Sequence, residues 1–380
     1  MVKSLRFYDA FAGIGGFHNA LTQLGYICVG ASEIDEESRK VYQDNYSIRP
    51  QGDITKIEEF PDMDILCSGA PCTSFSNAGN KKGMKDYRGQ LFNQVFRIAR
   101  LKQPKFMFLE NVKHIKRIDN GKVFEYILNE LDDCGYSVQT FDLSPHHLGI
   151  PQNRERVIFA CVRKDIPFEP IELKIKKRNV KLEDILEKNV ESFDIKPDEL
   201  QILEAWESMI KQFEVGEVLS PTILANDFYI TRTDEEFEDL PKWRQDYLTK
   251  NRRIYNKYRS KWDAWYEKNR EIVSKKEIFG KLEWQTGRVK ADESIFNHFI
   301  QFRQSGIRVK KADYFPTLVA IVQTPVYARE RRYITPRECA RLQSFPDTFR
   351  IHPVNKTAYK QFGNAVNVEV IKTVVSQIIY

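Results

Sequence analysis

No stretch of the 380-residue sequence approaches the roughly 20 consecutive apolar residues that a membrane-spanning helix needs. The amino terminus, MVKSLRFYDAF, enters a strand-like run at once and lacks the apolar core and cleavage site of a signal peptide. These two absences lead us to expect a cytoplasmic protein that has no membrane partner.

Cysteine is sparse as well. The six cysteines are scattered along the chain, and none forms a Cys-x-x-Cys pair. This spacing argues against a zinc site and against a disulfide framework, so we expect no metal. In a cytoplasmic chain most such thiols serve as small buried hydrophobic groups.

Tryptophan is absent from the first 205 residues, since all five tryptophans lie between Trp206 and Trp284. In the tryptophan-free part, six short apolar runs between residues 5 and 163 alternate with four amphipathic stretches. The runs are LRFYDAF, YICVGAS, MDILCSGA, KFMFLENV, SVQTFDL and RVIFACV. This alternation predicts an α/β domain built on a mostly parallel sheet with helices on both faces.

After Pro167 the composition changes, which marks a second domain beginning near residue 166. Residues 171–193 and 198–213 have the pattern of acidic helices. Residues 242–276 are rich in tryptophan, tyrosine and basic side chains and predict a basic helical unit whose tryptophans are mostly core. Orderly patterns return near the carboxyl terminus, where PRECARLQSF and NVEVIKTVVSQII predict helices.

The net charge of +6 is unevenly distributed. Residues 166–240 carry nine basic and 19 acidic side chains, whereas residues 241–316 carry 19 basic and nine acidic ones. A surplus of this kind can grip a polyanion, although a charged stretch is more often only a solvated helix face.

Four segments carry residues suited to chemistry, and each follows a predicted strand. The first is DAFAGIGG, residues 9–16, whose glycines permit a tight turn against a nucleotide-like ligand. Glu33 ends the second strand, where it can accept hydrogen bonds from a ribose diol. Asp53 follows the next region and can accept from an adenine amino group. A glycine-rich turn alone is weak support for such a site.

The second segment, residues 69–76, is GAPCTSFS and exposes Cys72 after a proline at a strand end. The third is FLENV, in which Glu110 ends an apolar strand and is expensive to bury without a partner or a role. The fourth is QNRERV, with Arg154 and Arg156. Taken singly, Cys72 could be a structural thiol, which is the usual fate of a cytoplasmic cysteine, and the charged residues could form structural ion pairs.

The order of the motifs decides between these interpretations. The glycine-rich turn, Pro-Cys, Glu-Asn-Val, Gln-x-Arg-x-Arg, PRECARL at 336–342 and QFGNAV at 361–366 follow one another along the chain. This set closely resembles the cytosine-5 DNA methyltransferase family of bacterial restriction-modification systems, over residues 5–163 and 329–380. The resemblance implies a Rossmann-like methyltransferase sheet that uses S-adenosyl-L-methionine (AdoMet), with a smaller inserted target-recognition domain.

The resemblance also implies an activity, a domain division and partners. We expect a methyl group to move from AdoMet to carbon 5 of a flipped cytosine within a specific duplex DNA sequence. Residues 1–165 with 364–380 would form the catalytic domain, 166–328 the target-recognition domain, and 329–363 a hinge segment returning the chain to the first domain. We expect a monomer that protects host DNA from a cognate restriction endonuclease.

Residue roles follow from the same resemblance. Cys72 is the nucleophile that attacks carbon 6 of cytosine, Glu110 contacts ring nitrogen N3 and the exocyclic amine, and water is expected to take the carbon-5 proton. Arg154 and Arg156 favour the thiolate and hold the flipped nucleotide. The implied cofactor contacts are Phe11, Gly13, Ile14, Gly15, Gly16, Glu33, Asp53, Ile54, Gly69, Pro71, Asn364 and Val366. Ser76 and Thr317, the latter in a short Pro-Thr-Leu element, are the implied DNA contacts.

Three positions depart from the family pattern. Thr73 stands where most members have glutamine, Ile34 where a large aromatic is common, and Ala365 where some have serine. Two rival functions stay open: a tRNA cytosine-5 methyltransferase from another branch of the family, and a catalytically silent DNA-binding homologue. The intact Pro-Cys, Glu-Asn-Val and glycine-rich motifs argue against the second rival.

Overall fold

The computed structural model describes residues 4–71, 90–219, 222–320 and 323–379. The chain divides into two compact units. The first comprises residues 1–185, 317–321 and 336–380, and the second comprises residues 186–316 and 322–335. Among the described residues, no helix is both long and apolar enough to cross a membrane.

The first unit is built on a six-stranded sheet in the order β2-β1-β3-β4-β6-β5. The strands are β1 (Arg6–Ala10), β2 (Ile27–Ser32), β3 (Ile65–Ser68), β4 (Phe106–Val112), β5 (Tyr136–Leu143) and β6 (Arg156–Arg163). All six coincide with the predicted runs. Strand β6 runs antiparallel to both β4 and β5, so the otherwise parallel sheet reverses at one strand.

Helices cover both faces of this sheet, as the alternating pattern predicts. They are α1 (Gly16–Gln23), α2 (Glu36–Tyr46), α3 (Gln90–Lys102), α4 (Lys122–Asp133), α5 (Leu182–Ile185), α10 (Pro336–Leu342), α11 (Asn355–Asn364) and α12 (Val368–Ile378). One face packs Tyr8, Leu66 and Met107 against α3 and α4. On the other face α1 packs against α12, and the ring of Phe7 meets His18 edge-on.

The predicted helix at 171–193 is wrong for most of its length, since only α5 is helical there. Residues 171–181 form neither helix nor strand and bond to other residues of the first unit. The side-chain amide of Gln139 bonds both backbone groups of Ile171, at 2.7 and 3.0 Å, and that of Gln377 bonds both backbone groups of Lys174. Alternating apolar and polar residues in IELKIKK fit an extended segment that finds its backbone partners in side-chain amides.

The first unit is larger than the predicted catalytic domain. It includes residues 166–185, the short strip 317–321 and nearly all of the predicted hinge segment, from residue 336 onward. Composition could not indicate these assignments, because they depend on hydrogen bonds between residues far apart in sequence.

The second unit combines a helical layer with a second six-stranded sheet. Its helices are α6 (Pro197–Ile210), α7 (Asp234–Glu238), α8 (Lys242–Lys257) and α9 (Arg259–Lys275). Its strands are β7 (Ile223–Leu224), β8 (Lys281–Gln285), β9 (Phe299–Arg303), β10 (Gly306–Lys310), β11 (Val326–Tyr327) and β12 (Arg332–Tyr333), in the order β12-β11-β9-β10-β8-β7. The two predicted helical regions at 198–213 and 242–276 are therefore confirmed.

Four of the five tryptophans lie in the core of the second unit, as expected. Trp206, Trp262 and Trp265 pack against one another, and the indole N–H groups of Trp206 and Trp265 donate to buried carbonyls. Trp284 is also buried, whereas the side chain of Trp243 on α8 is 56% exposed.

Candidate active site

The turn that follows β1 has the tight backbone that its glycines predict. Phe11, Gly13 and Gly15 have positive φ values of 56°, 56° and 86°. A Cβ atom on Gly15 would lie 2.3 Å from the ring of Tyr46, so no larger residue fits there. The turn leads directly into α1. The first backbone N–H groups of α1 point back toward the turn.

Glu33, at the end of β2, faces this turn. Its Oε2 accepts the backbone N–H of Gly13 at 2.8 Å and its Oε1 accepts that of Asp35 at 2.8 Å. Burial raises the pKa of Glu33, while these two N–H donors pull the pKa down. Each carboxylate oxygen keeps a lone pair, so the group can still accept from a vicinal diol.

Asp53 and Ile54 are held beside Glu33 through backbone pairing. The backbone N–H of Glu33 donates to the carbonyl of Gln51, and the N–H of Gln51 donates to Ala31 on β2. Asp53 caps the short 3-10 helix at 54–56 by accepting from Thr55, which lowers the pKa of Asp53. The turn, Glu33 and Asp53 therefore line one end of the sheet and fit a nucleoside-containing cofactor such as AdoMet.

Asp9 is a site residue that the motif analysis quoted but gave no role. Its side chain is fully buried at the end of β1, and within the described parts of the chain neither carboxylate oxygen has a hydrogen-bond partner. Burial raises the pKa of Asp9 well above its ordinary value, with the backbone of His18 acting in the opposite direction. The sequence did contain a signal for this role, since Asp9 is an acidic residue between two apolar residues of a predicted strand.

We expect Asp9→Asn to stabilise the protein at pH 7–8 and to have less effect near pH 4. A carboxyl group whose folded-state pKa is raised must stay protonated in the folded state, while in the unfolded state it ionises above about pH 3.9. The folded protein therefore loses stability as the pH rises from the pKa of Asp9 in the unfolded state toward its pKa in the folded state. Asparagine does not ionise, so the Asp9→Asn protein does not undergo this loss. Thermal unfolding of both proteins between pH 4 and 8 checks this, and a constant difference across the range would contradict it.

The carboxyl-terminal segment closes against the glycine-rich turn. A Cβ atom on Gly16 would lie 2.6 Å from Cγ2 and 2.7 Å from the carbonyl oxygen of Val366, and one on Gly69 would touch Val366 at 3.6 Å. Gly16, Gly69 and Val366, predicted from separate motifs, are thus brought together. Asn364 is exposed at the end of α11.

The end of β4 joins two parts of the site. Glu110 lies 2.9 Å from Nε of Arg156 through its Oε1, and both side chains are more than 85% buried. The next residue, Asn111, donates from its side chain to the carbonyl of Ala70 at 3.0 Å. Asn111 therefore fixes the backbone just ahead of Pro71, a positioning role that the sequence analysis missed although the residue lies within its motif.

Cys72, the predicted nucleophile, and Ser76, a predicted DNA contact, lie outside the described residues, as does Thr73. Pro71 is the last described residue before them and is half-buried.

Arg154 binds backbone rather than another side chain. Its guanidinium donates to the carbonyls of Leu318 at 2.9 Å, Gly363 at 3.1 Å and Ala365 at 2.8 Å. Only 2% of the residue is exposed, and burial together with the neighbouring Arg156 lowers the pKa of Arg154 to about 9. The group is still charged at neutral pH, and it ties the strip at 317–321 to the end of α11.

Thr317 joins the same arrangement. Its hydroxyl donates to the carbonyl of Asn153 at 2.6 Å. Gly363 makes the approach of the strip possible, since a Cβ there would lie 2.4 Å from the carbonyl carbon of Val319 and 2.6 Å from the nitrogen of Ala320.

Gly363→Ala should therefore destabilise the protein by about 1–3 kcal/mol, the range of overpacking in a closely packed interior. Alanine is otherwise favoured over glycine in a helix by about 1 kcal/mol, so a loss of stability would isolate the steric clash. Thermal or urea unfolding measures it. Gly52→Ala is the control, because its Cβ meets only the flexible end of Arg39, at 3.4 Å, and the change should stay within about 0.5 kcal/mol. Equal stability of the two variants would refute the clash.

The sheet order and the glycine-rich turn are those of the AdoMet-dependent methyltransferase fold. The model of the C-5 cytosine-specific DNA methylase family matches residues 5–380, and the chain belongs to that family. It is a DNA cytosine-5 methyltransferase, and the predicted family and fold are confirmed.

Several relatives are similar over nearly the whole chain. Type II methyltransferase M.HhaI of Haemophilus parahaemolyticus is 32% identical over 373 residues, covering 98% of this chain and 93% of the relative. Type II methyltransferase M.HpaII of Haemophilus parainfluenzae is 32% identical, covering 97% and 88%. Among solved structures, a putative DNA modification methyltransferase encoded within an E. coli prophage has a TM-score of 0.57 at 19% identity, covering 99% of both chains. The Entamoeba histolytica methyltransferase EhMeth has a TM-score of 0.56 at 20% identity, covering 99% of this chain and 98% of that one.

Proposed function

We propose that this enzyme methylates carbon 5 of a cytosine that is flipped out of a specific duplex DNA sequence, with Cys72 as the nucleophile. The observation that carries the proposal is the end of β4. There Asn111 holds the backbone leading to Cys72 while its neighbour Glu110 is paired with Arg156. This short segment therefore carries the carboxylate that would bind the base and fixes the backbone at Ala70, two residues before the predicted nucleophile.

The chemistry of cytosine explains why both groups are needed. Carbon 5 is a poor nucleophile until a thiolate adds to carbon 6, which breaks the aromaticity of the ring. Addition of the thiolate to carbon 6 forms the C6–S bond and breaks the C5–C6 π bond, and Glu110, holding N3 and the exocyclic amine, would stabilise the resulting enamine whose displaced electron pair is available at carbon 5. After methyl transfer, water takes the carbon-5 proton and the C6–S bond breaks, releasing Cys72. An extrahelical base is required because the ring carbons are inaccessible inside the base stack.

The two arginines have different parts in this proposal. Arg156 lies against Glu110, would orient that carboxylate and would help to hold the nucleotide. Arg154 is assigned a positioning part instead of the predicted contact with the nucleotide, because three backbone carbonyls already occupy its guanidinium.

AdoMet, when bound, supplies the electrophilic methyl group. Gly13, Ile14, Gly15 and Gly16 would line it with backbone, Phe11 would stack on its adenine, and Glu33 would accept from the ribose hydroxyls. Asp53 and Ile54 would contact the adenine, with Gly69, Pro71, Asn364 and Val366 completing the pocket. The positive φ values of the turn and the position of Glu33 support this assignment.

The duplex would be gripped mainly by the second unit, which we propose as the target-recognition domain. Exposed basic side chains on α8 and α9, such as Lys250, Lys268 and Lys275, suit phosphate contacts that position the protein. Ser76 and Thr317 would contact the strand that carries the flipped base. The similarity to Type II methyltransferases supports a role in protecting host DNA from a partner endonuclease.

Transfer of labelled methyl groups from AdoMet to a mixed-sequence DNA duplex, or to tRNA, tests the proposal against its first rival. We expect incorporation into the duplex alone, at cytosines that share one flanking sequence when the product is sequenced. Incorporation into tRNA alone would overturn the proposal. Cys72→Ala should transfer no methyl group but should still bind duplex DNA; no transfer by the unaltered enzyme would favour a silent homologue.

A further inference from the structure

The second sheet has one apolar face and one face that is mostly polar. Ile300, Ile307, Val309, Leu282 and Trp284 lie on one side and belong to the core of the second unit. Strand register places Arg308 beside Gln301 and Glu283, Arg303 opposite Gly306, and Lys310 beside Gln285, all on the other side. Phe299, across from Lys310, lies on this side too and is buried against Phe315 and Tyr327. The charged groups of this side that reach solvent include the partly exposed side chains of Arg303 and Arg308.

Two arginines on this polar face share one carboxylate. Nη1 of Arg303 and Nε of Arg308 each lie 2.9 Å from the same oxygen, Oε2 of Glu283. Glu283 is 12% exposed, and the two arginines are 24% and 29% exposed. Burial and the charge of Arg308 lower the pKa of Arg303, which Glu283 opposes. Three rigid strand positions therefore hold both guanidinium groups in fixed orientations.

This arrangement differs from an ordinary surface ion pair. A single carboxylate cannot neutralise two guanidinium groups, so the cluster keeps a net positive charge. The carboxylate oxygen of Glu283 binds only one nitrogen of each arginine. The other N–H groups of the two guanidinium groups can donate hydrogen bonds but cannot accept them. Arg303 directly precedes the two-residue turn at 304–305, and Arg308 lies diagonally across from it on β10, so both arginines lie near the tip of the β9–β10 hairpin.

We propose that Arg303 and Arg308, clamped by Glu283, read guanine bases in the major groove and so determine the sequence that the enzyme methylates. This inference rests on the proposed function. Guanine presents two adjacent acceptors, O6 and N7, to the groove, and an arginine fork matches them with two hydrogen bonds. A clamp on a hairpin supplies the fixed orientation that base discrimination needs, because side chains on strands are held more rigidly than those on loops.

The test compares kcat/KM on a duplex carrying the enzyme's own methylation site, identified by sequencing, with kcat/KM on duplexes altered at one base pair at a time. We expect Arg303→Met and Arg308→Met each to lose about 10- to 100-fold of discrimination at a guanine-containing position and to keep it elsewhere. Arg303→Lys and Arg308→Lys retain the charge and should lose discrimination similarly, because an ammonium group lacks the planar fork. Lys268→Met is the matched control, which should weaken activity on all duplexes by one common factor.

Unchanged discrimination in the arginine variants, or a common loss on every duplex, would overturn the inference and leave the proposed function standing. If the methionine variants do not fold, the lysine variants decide between the same two outcomes. If the unaltered enzyme methylates no duplex, the proposed function itself fails and the inference fails with it. Glu283→Gln should weaken the contacts that orient both guanidinium groups, and it should reduce discrimination between base pairs at the positions that the two arginines read.

Discussion

Glu110→Gln should lower kcat by about 10²- to 10⁴-fold, the range expected when a positioned acid or base is lost. Glutamine keeps the size of the side chain but cannot carry the negative charge that faces Arg156 at 2.9 Å, nor share a proton with N3 of cytosine. The carboxylate acts on the base and not on the cofactor in this account, so the affinity for AdoMet should not change. Single-turnover methyl transfer with saturating duplex, together with calorimetric titration of AdoMet, measures both quantities.

Glu130→Gln is the matched control for this substitution. Glu130 lies on α4 and pairs with Arg100, which is half exposed. Its replacement should leave kcat within about twofold, since an exposed ion pair contributes at most about 1 kcal/mol to stability and has no contact with the site. A Glu110→Gln enzyme with kcat within fivefold of the unaltered protein would remove Glu110 from the mechanism.

Arg154→Met should destabilise the protein by about 3–5 kcal/mol. Methionine fills much of the same volume, but the carbonyls of Leu318 and Gly363 would lose the Arg154 donor, at about 1–3 kcal/mol for each buried group left unsatisfied. The carbonyl of Ala365 would keep only the 3.4 Å bond from the side-chain amide of Gln343. We also expect weaker AdoMet binding, because Ala365 directly precedes Val366, which packs on Gly16. Urea unfolding and AdoMet titration measure the two effects.

Arg100→Met provides the comparison for Arg154, because it removes a half-exposed arginine whose only ion-pair partner among the described residues is the carboxylate of Glu130. Its effect on the free energy of unfolding should be below about 1 kcal/mol. If Arg154→Met is no more destabilising than Arg100→Met, then the three carbonyl bonds do not hold the strip at 317–321 to the first unit.

Much of the first unit could be predicted from the sequence, because its strands and helices have strong local patterns. The six apolar runs are strands, the amphipathic stretches between them are helices, and Gly16, Gly69 and Val366 meet as their motifs imply. The antiparallel direction of β6 was not predictable, since apolar strands look alike in either orientation. The segment at 171–181 was mistaken for a helix because its partners, Gln139 and Gln377, lie far away in sequence.

The parts of the site that the sequence could not indicate all depend on long-range contacts. The family resemblance led us to expect Arg154 at the flipped nucleotide, and that contact stays a prediction. The partners of Arg154 in the structure lie 164, 209 and 211 residues away and are backbone carbonyls, which no side-chain pattern reveals. The return of 317–321 to the first unit has the same origin. The clamp of Arg303 and Arg308 likewise follows from strand register, which composition does not specify.

Covalent trapping tests the central claim most directly. A duplex in which the target cytosine is replaced by 5-fluorocytosine cannot release a carbon-5 proton, so the bond between Cys72 and carbon 6 should persist after methyl transfer. Incubated with AdoMet, the enzyme should form a denaturation-resistant complex with this duplex, and mass spectrometry should locate the link at Cys72. Cys72→Ala should form none. Methylation of ordinary duplex without any trapped complex, or a link at another residue, would contradict the account.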